Sequence, residues 1–118
     1  MRSGDIYWVN LDPSTGDEIR KKRPVIVLNG GHAKHLRLAI VVPVTGWKLQ
    51  WDKHPFFVSL NPTDTNGLSK KSSADCFQLR AISHDRFSEK IGAISEAQMN
   101  EVKAAVALIL GIDPEHCQ

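Results

Sequence analysis

Short apolar runs separated by clusters of Gly, Pro, Asn, Asp and Ser fill the first three quarters of the chain, a pattern of strands rather than helices. Asp5 to Asn10, with Ile6-Tyr7-Trp8-Val9 at its centre, predicts the first strand, and Asp12-Pro13-Ser14 and Gly16 predict the turn that follows. A long loop then runs to Arg23. Val25 to Leu28 and Leu38 to Val44 are continuous apolar stretches that predict buried strands; Asn29-Gly30-Gly31 closes the first, and Pro43 in the second predicts a bulge or an edge. Phe56 to Leu60 predicts another strand. Asn61-Pro62 and Asn66-Gly67 mark a turn-rich loop, Ala74 to Ile82 predicts further strand, and Ser83 to Glu89 a helical turn before Ile91 to Ile94.

The carboxyl-terminal quarter changes period. Ser95 with Gln98 three residues on is a capping box, Ile94 and Met99 can form the hydrophobic staple, and Gly111 stands where a left-handed terminator belongs, so a helix is predicted over 96–110. Met99, Val102, Val106, Ile109 and Leu110 form one stripe, which predicts that the helix lies on the sheet. The fold class is therefore mainly β: a small barrel with an appended helix, in one domain over residues 1–118.

Composition adds little to that picture and charge adds more. The net charge is only +2, but residues 1–90 carry fourteen basic and nine acidic side chains while residues 91–118 carry one and four. No acid falls between Glu18 and Asp52, where seven Lys and Arg side chains do, and such a stretch attracts a polyanion unless its cations scatter over separate loops. The longest apolar run, Ala104 to Leu110, is far short of a membrane span, and Ile6 to Val9 is too short for a signal peptide, so a cytoplasmic protein is expected. Cys76 and Cys117 are expected as free thiols, with no Cys-based zinc site.

The segments Gly4 to Glu18, Lys22 to Asn29, Val41 to Gly46 and Gln78 to Ile82, followed by the amphipathic helix, resemble the MazF/PemK family of toxins in order and spacing over nearly the whole chain. The resemblance implies an SH3-like barrel, a homodimer, and metal-independent, sequence-specific cleavage of single-stranded RNA without a cofactor. It also implies a cognate antitoxin with an acidic, partly disordered tail. Arg23 matches the family's catalytic arginine, whose planar guanidinium can hold two phosphate oxygens. Thr45 matches the catalytic threonine, and Glu18, in a GxE motif, an acid that could serve as base or position the arginine; an ordinary surface ion pair explains Glu18 equally well. Relatives often have Gln where this chain has Ile19, and many have an acid directly before the later Gln, where it has Phe77. Asp75 stands two residues earlier, on the same strand face but not at the same position, so proton transfer by the relatives' acid would have to be replaced here.

Substrate contacts are expected from Lys21, Lys22, Lys48, Gln78 and Arg80, the last two sharing a strand face; Arg80 could equally be structural. Trp47 and Trp51 alternate with cations in Gly46 to His54, a pattern that stacks unpaired bases or, alternatively, pins the loop to the barrel. His32 and His35 lack a third ligand for a metal, and His54 is the imidazole nearest Thr45. Two other readings share the fold: a toxin of the CcdB-like, gyrase-poisoning kind, acting through its terminal helix, and a non-catalytic nucleic-acid-binding module.

Overall fold

The computed structural model describes residues 1–113, and of residues 32–34 the backbone only. Strand β1 (Asp5–Asn10) lies antiparallel to β2 (Lys22–Val27), with Ile6 opposite Ile26 and Val9 opposite Arg23. Strand β3 (Leu38–Gly46) follows on the other side of β2, where Val25 faces Pro43. Beyond it come β4 (Phe57–Leu60), β5 (Ser72–Asp75), β6 (Arg80–Ser83) and β7 (Phe87–Ala93), then helix α1 (Glu96–Leu110). Strand β3 belongs to two sheets. One runs β6-β3-β2-β1-β7 and the other β3-β5-β4, all pairs antiparallel. Strands β6 and β7 are joined by the short turn His84–Arg86, and among the described residues no ladder closes the barrel between them.

The continuous apolar runs are explained by burial on both faces of this sheet. Val25, Ile26 and Val27 are all fully buried, but Ile26 points into a cluster with Ile6, Val42, Val44 and α1, whereas Val25 and Val27 point into one with Val9, Leu11, Val41 and Ile82. Alternation is present, yet both halves of it are apolar.

The single strand expected over Ala74 to Ile82 is broken. Val44 pairs with Ala74 and Val41 with Arg80, so five residues of the partner span two of β3, and the surplus is taken up by a 3-10 turn at Cys76–Gln78. Pro43 stands opposite that turn. It lies on neither an edge nor a bulge of its own strand: the ladder bond it cannot donate falls where its partner is interrupted.

Helix α1 begins and ends where expected. Ser95 accepts the Gln98 N–H at 3.1 Å and Gln98 reaches back to the Ser95 N–H at 3.2 Å, while Gly111 has φ 69° and closes the last turn. Met99 and Val102 are buried, and Val106 and Ile109 pack partly buried against the same cluster. Leu110 is 56% exposed, and Ala105 takes a place in the buried stripe instead, because position 110 falls at the stripe's margin in the final turn.

Candidate functional site

Arg23 and Pro24 belong to β2 and not, as expected, to the end of a loop. Extending the β2–β3 register by one pair beyond Val25 and Pro43 on the same face sets Arg23 across from Thr45. Arg23 Nη1 donates to Thr45 Oγ1 at 3.5 Å, and Arg23 Nε to the Arg20 carbonyl at 3.2 Å. Both residues are half-buried, at the junction of two cavities. One, of about 370 Å³, lies among residues 16–20, Lys48, Trp51, Asp75 and Gln78. The other, of about 350 Å³, extends toward Trp8, Lys22, Gly67 and Lys70. Lys21 borders both, so the structure gathers Lys21, Lys22, Arg23, Thr45 and Lys48 around one basic cleft.

Glu18 also borders this cleft, but its carboxylate is exposed and braces its own loop: Oε1 accepts the Thr15 N–H at 2.6 Å, and the Glu18 N–H donates to the Thr15 carbonyl at 3.2 Å. Gln78 fastens that loop to the 3-10 turn. Its Oε1 accepts the Ile19 N–H at 2.6 Å and its Nε2 donates to the Asp17 carbonyl at 3.0 Å, so both ends of the amide are engaged by the protein. The Ile19 side chain packs on the second apolar cluster, which accounts for an apolar residue there.

Arg80 is not brought to the cleft. The intervening turn removes the shared strand face, and Arg80 borders an adjoining cavity with Leu11, Pro43 and Phe77, which meets the cleft along Asp17, Glu18, Ile19 and Gln78. The two tryptophans make the pinning contacts. Trp51 stacks on Phe57 at 4.3 Å with Lys48 Nζ 4.8 Å from its ring, and Lys71 Nζ sits 4.1 Å from the Trp47 ring, whose buried Nε1 has no partner.

Sequence reasoning assigned no role to Asp75, which the fold turns into the cleft. In a 3-10 turn, positions three apart eclipse, so Asp75 at its cap and Gln78 at its end face the same way, while Phe77 stacks on Phe56 and is 62% exposed. Asp75 is 6% exposed and its Oδ1 is buried and unpartnered. Burial pushes its pKa above the ordinary carboxylate value, against the opposing pull of the Gln78 and Phe77 amides and the His54 charge. Ser73, opposite Thr45, is likewise buried with an unpartnered Oγ. Only the β3–β5 register, invisible in the linear chain, sets Thr45, Ser73 and Asp75 on one face.

The remaining candidates stay apart. His54 Nδ1 accepts the Phe56 N–H at 3.1 Å, and His54 borders a cavity beside α1 rather than the cleft. His35 is exposed, and the side chain of His32 lies outside the described residues. Cys76 is a buried free thiol whose pKa is pushed up to about 12, mainly by burial and further by Asp75; Cys117 lies outside the described residues. Among the described residues no group of three His, Cys, Asp or Glu is placed to hold a metal, and no helix is long and apolar enough to cross a membrane.

Comparison with known proteins agrees with this architecture. The chain is 33% identical to the endoribonuclease MazF9 of Mycobacterium tuberculosis over 118 residues, covering 95% of this chain and 98% of that one. In fold it is similar to MazF of Deinococcus radiodurans (TM-score 0.79, 24% identity, 94% and 96% of the two chains covered). It is also similar to a mycobacterial endoribonuclease solved with its cognate antitoxin (TM-score 0.75, 18% identity, 96% and 97% covered). A sequence model of the PemK-like, MazF-like toxins of type II toxin-antitoxin systems matches residues 2–110, and this chain belongs to that family.

Proposed function

We propose that this chain is a sequence-specific endoribonuclease toxin that cuts single-stranded RNA, messenger RNA included, in the cytoplasm, acts as a homodimer, and is restrained by a cognate antitoxin. The observation that carries this reading is the Arg23–Thr45 pair at the junction of two cavities rimmed by Lys21, Lys22 and Lys48. A gyrase-binding toxin or a passive nucleic-acid module has no need of a guanidinium held against a hydroxyl at the base of a cleft.

RNA brings its own nucleophile, the 2′-hydroxyl, so the protein needs to position the phosphate, stabilise the charge growing on its oxygens and assist proton movement. Arg23 supplies a fixed positive charge and a planar fork for two non-bridging oxygens, and Thr45 a hydroxyl beside it. Arg23's bond to the Arg20 carbonyl holds the guanidinium in place before substrate arrives. No metal is required to generate a nucleophile in this scheme. The cations around the cleft hold the backbone of the strand, and the acidic tail of an antitoxin would compete for them.

The test is incubation of the purified protein with a long RNA in EDTA, with the cut ends mapped. Attack by the 2′-hydroxyl leaves a 2′,3′-cyclic phosphate on one fragment and a 5′-hydroxyl on the other. One deoxyribose just upstream of the cut bond should stop cleavage and weaken binding only modestly. Ends bearing a 5′-phosphate, or cutting at the deoxy-substituted bond, overturn the mechanism.

A further inference from the structure

We propose that Phe77 is the platform on which one unpaired base of the RNA stacks, in a subsite adjoining the cleft. The assignment rests on the nuclease reading of that cleft. Proteins grip single strands with flat aromatic faces set beside cations, and the two tryptophans beyond Thr45 are already engaged, Trp51 by the Phe57 ring and Trp47 by Lys71. Among the described residues, Phe77 is the only Phe, Tyr or Trp that is exposed. An isolated apolar side chain at the surface needs no explanation; what distinguishes this one is its setting.

The ring is held from one side. It stacks on Phe56 at 5.6 Å and 30°, within the 3-10 turn between β5 and β6, so its orientation is fixed before RNA arrives and little freedom is lost when a base lies against it. Phe77 borders a cavity of about 490 Å³ with Leu11, Ile19, Pro43 and Leu79, an apolar recess with room for a base. This recess meets the cleft along Asp17, Glu18, Ile19 and Gln78, so a strand whose phosphate lies against Arg23 and Thr45 can turn a neighbouring base into it.

Charge decides which part of a nucleotide enters. The cleft carries Asp17, Glu18 and Asp75 but sets Arg20, Lys21, Lys22, Arg23 and Lys48 against them, whereas the recess sets only Arg80 against Asp17 and Glu18. A phosphate, or the acidic tail of an antitoxin, is drawn to the first and gains nothing in the second. A base is neutral, and its amino and carbonyl edges can meet charges of both signs at the rim while its face lies on the ring.

The experiment measures binding of short single-stranded RNAs that contain the mapped cut sequence, kept whole by deoxyribose just upstream of the cut bond, to wild type, Phe77→Ala, Phe77→Leu and Phe77→Trp. Phe77→Ala should bind about 5- to 100-fold more weakly, Phe77→Leu nearly as weakly because it keeps apolar bulk without a flat face, and Phe77→Trp within about threefold of wild type. The salt slope should be the same in all four, since no phosphate contact is lost. RNAs lacking one base at a time locate the subsite: at one position, base removal should cost wild type about as much as the Phe77→Ala change does, and should cost the variant almost nothing further. Should Phe77→Ala not fold, Phe77→Leu against Phe77→Trp gives the same comparison. Binding by Phe77→Ala within about twofold of wild type, or a loss that is equal whichever base is absent, overturns the subsite alone. So does a Phe77→Ala protein that sediments as a smaller species than wild type, which places the ring between two copies of the chain. A folded wild-type protein that cuts no RNA overturns the nuclease reading and the subsite with it.

Discussion

Arg23 gains its value from what fixes it. A solvated arginine samples many rotamers, but this one is tethered at Nε to the Arg20 carbonyl and leans on the Thr45 hydroxyl, so little freedom remains to be lost when a phosphate binds. Arg23→Ala is expected to slow cleavage by about 100- to 1,000-fold or more while RNA affinity falls much less, because Lys21, Lys22 and Lys48 still hold the backbone. Arg23→Lys should recover little of the rate, since a point charge lacks the planar fork. Because the Thr45 hydroxyl is in contact with the Arg23 guanidinium, Thr45→Val added to Arg23→Ala should cost far less than it does alone. Single-turnover kinetics of the four proteins measures this directly, and strictly additive losses would mean that the two side chains work independently.

Elements differ in how far each is fixed by its own residues. In α1, a local signal specifies a local structure, and Ser95→Ala should remove the capping box and lower stability by about 1 kcal/mol in thermal or urea unfolding. Gly67 is harsher: it has φ 70°, and a Cβ there would run into the Ile91 carbonyl of β7, so Gly67→Ala should cost at least ~2 kcal/mol, well beyond the loss of the cap. The same distinction governs what could be read from the chain. Strand β1 and helix α1 were legible to the residue, because a β-branched and aromatic run closed by turn residues, a capping box and a terminal glycine act over a few neighbours. The start of β2 at Lys22 was hidden, since basic residues look like loop until β1 is seen to pair with them through Val9 and Asn10. The turn at Cys76–Gln78 was hidden for a related reason: its three surplus residues have meaning only against the length of β3. Arg23 and Thr45 were therefore found by their segments, whereas Asp75 and Ser73 needed the register.

At the scale of the whole molecule, the cations divide between the cleft and its surroundings. Lys21, Lys22, Arg23 and Lys48 border the joined cavities around Thr45, while Arg80 lies in the adjoining one beyond Gln78. Binding of a non-cleavable, 2′-deoxy-substituted RNA should weaken with salt at a slope of roughly −3 in log K against log salt, for about four phosphates neutralised on a single strand. Lys21→Ala or Lys48→Ala should make that slope shallower by about 0.7, and Arg80→Ala should leave it unchanged, as anisotropy titrations at several salt concentrations would reveal. Strand β3, shared by the two sheets, gives the cleft a mechanical character as well. Arg23 rides on one sheet and Asp75 on the other, with Thr45 on the strand that both hold in common. The cleft thus straddles a seam, and its two sides are held in register only through the strand that carries Thr45.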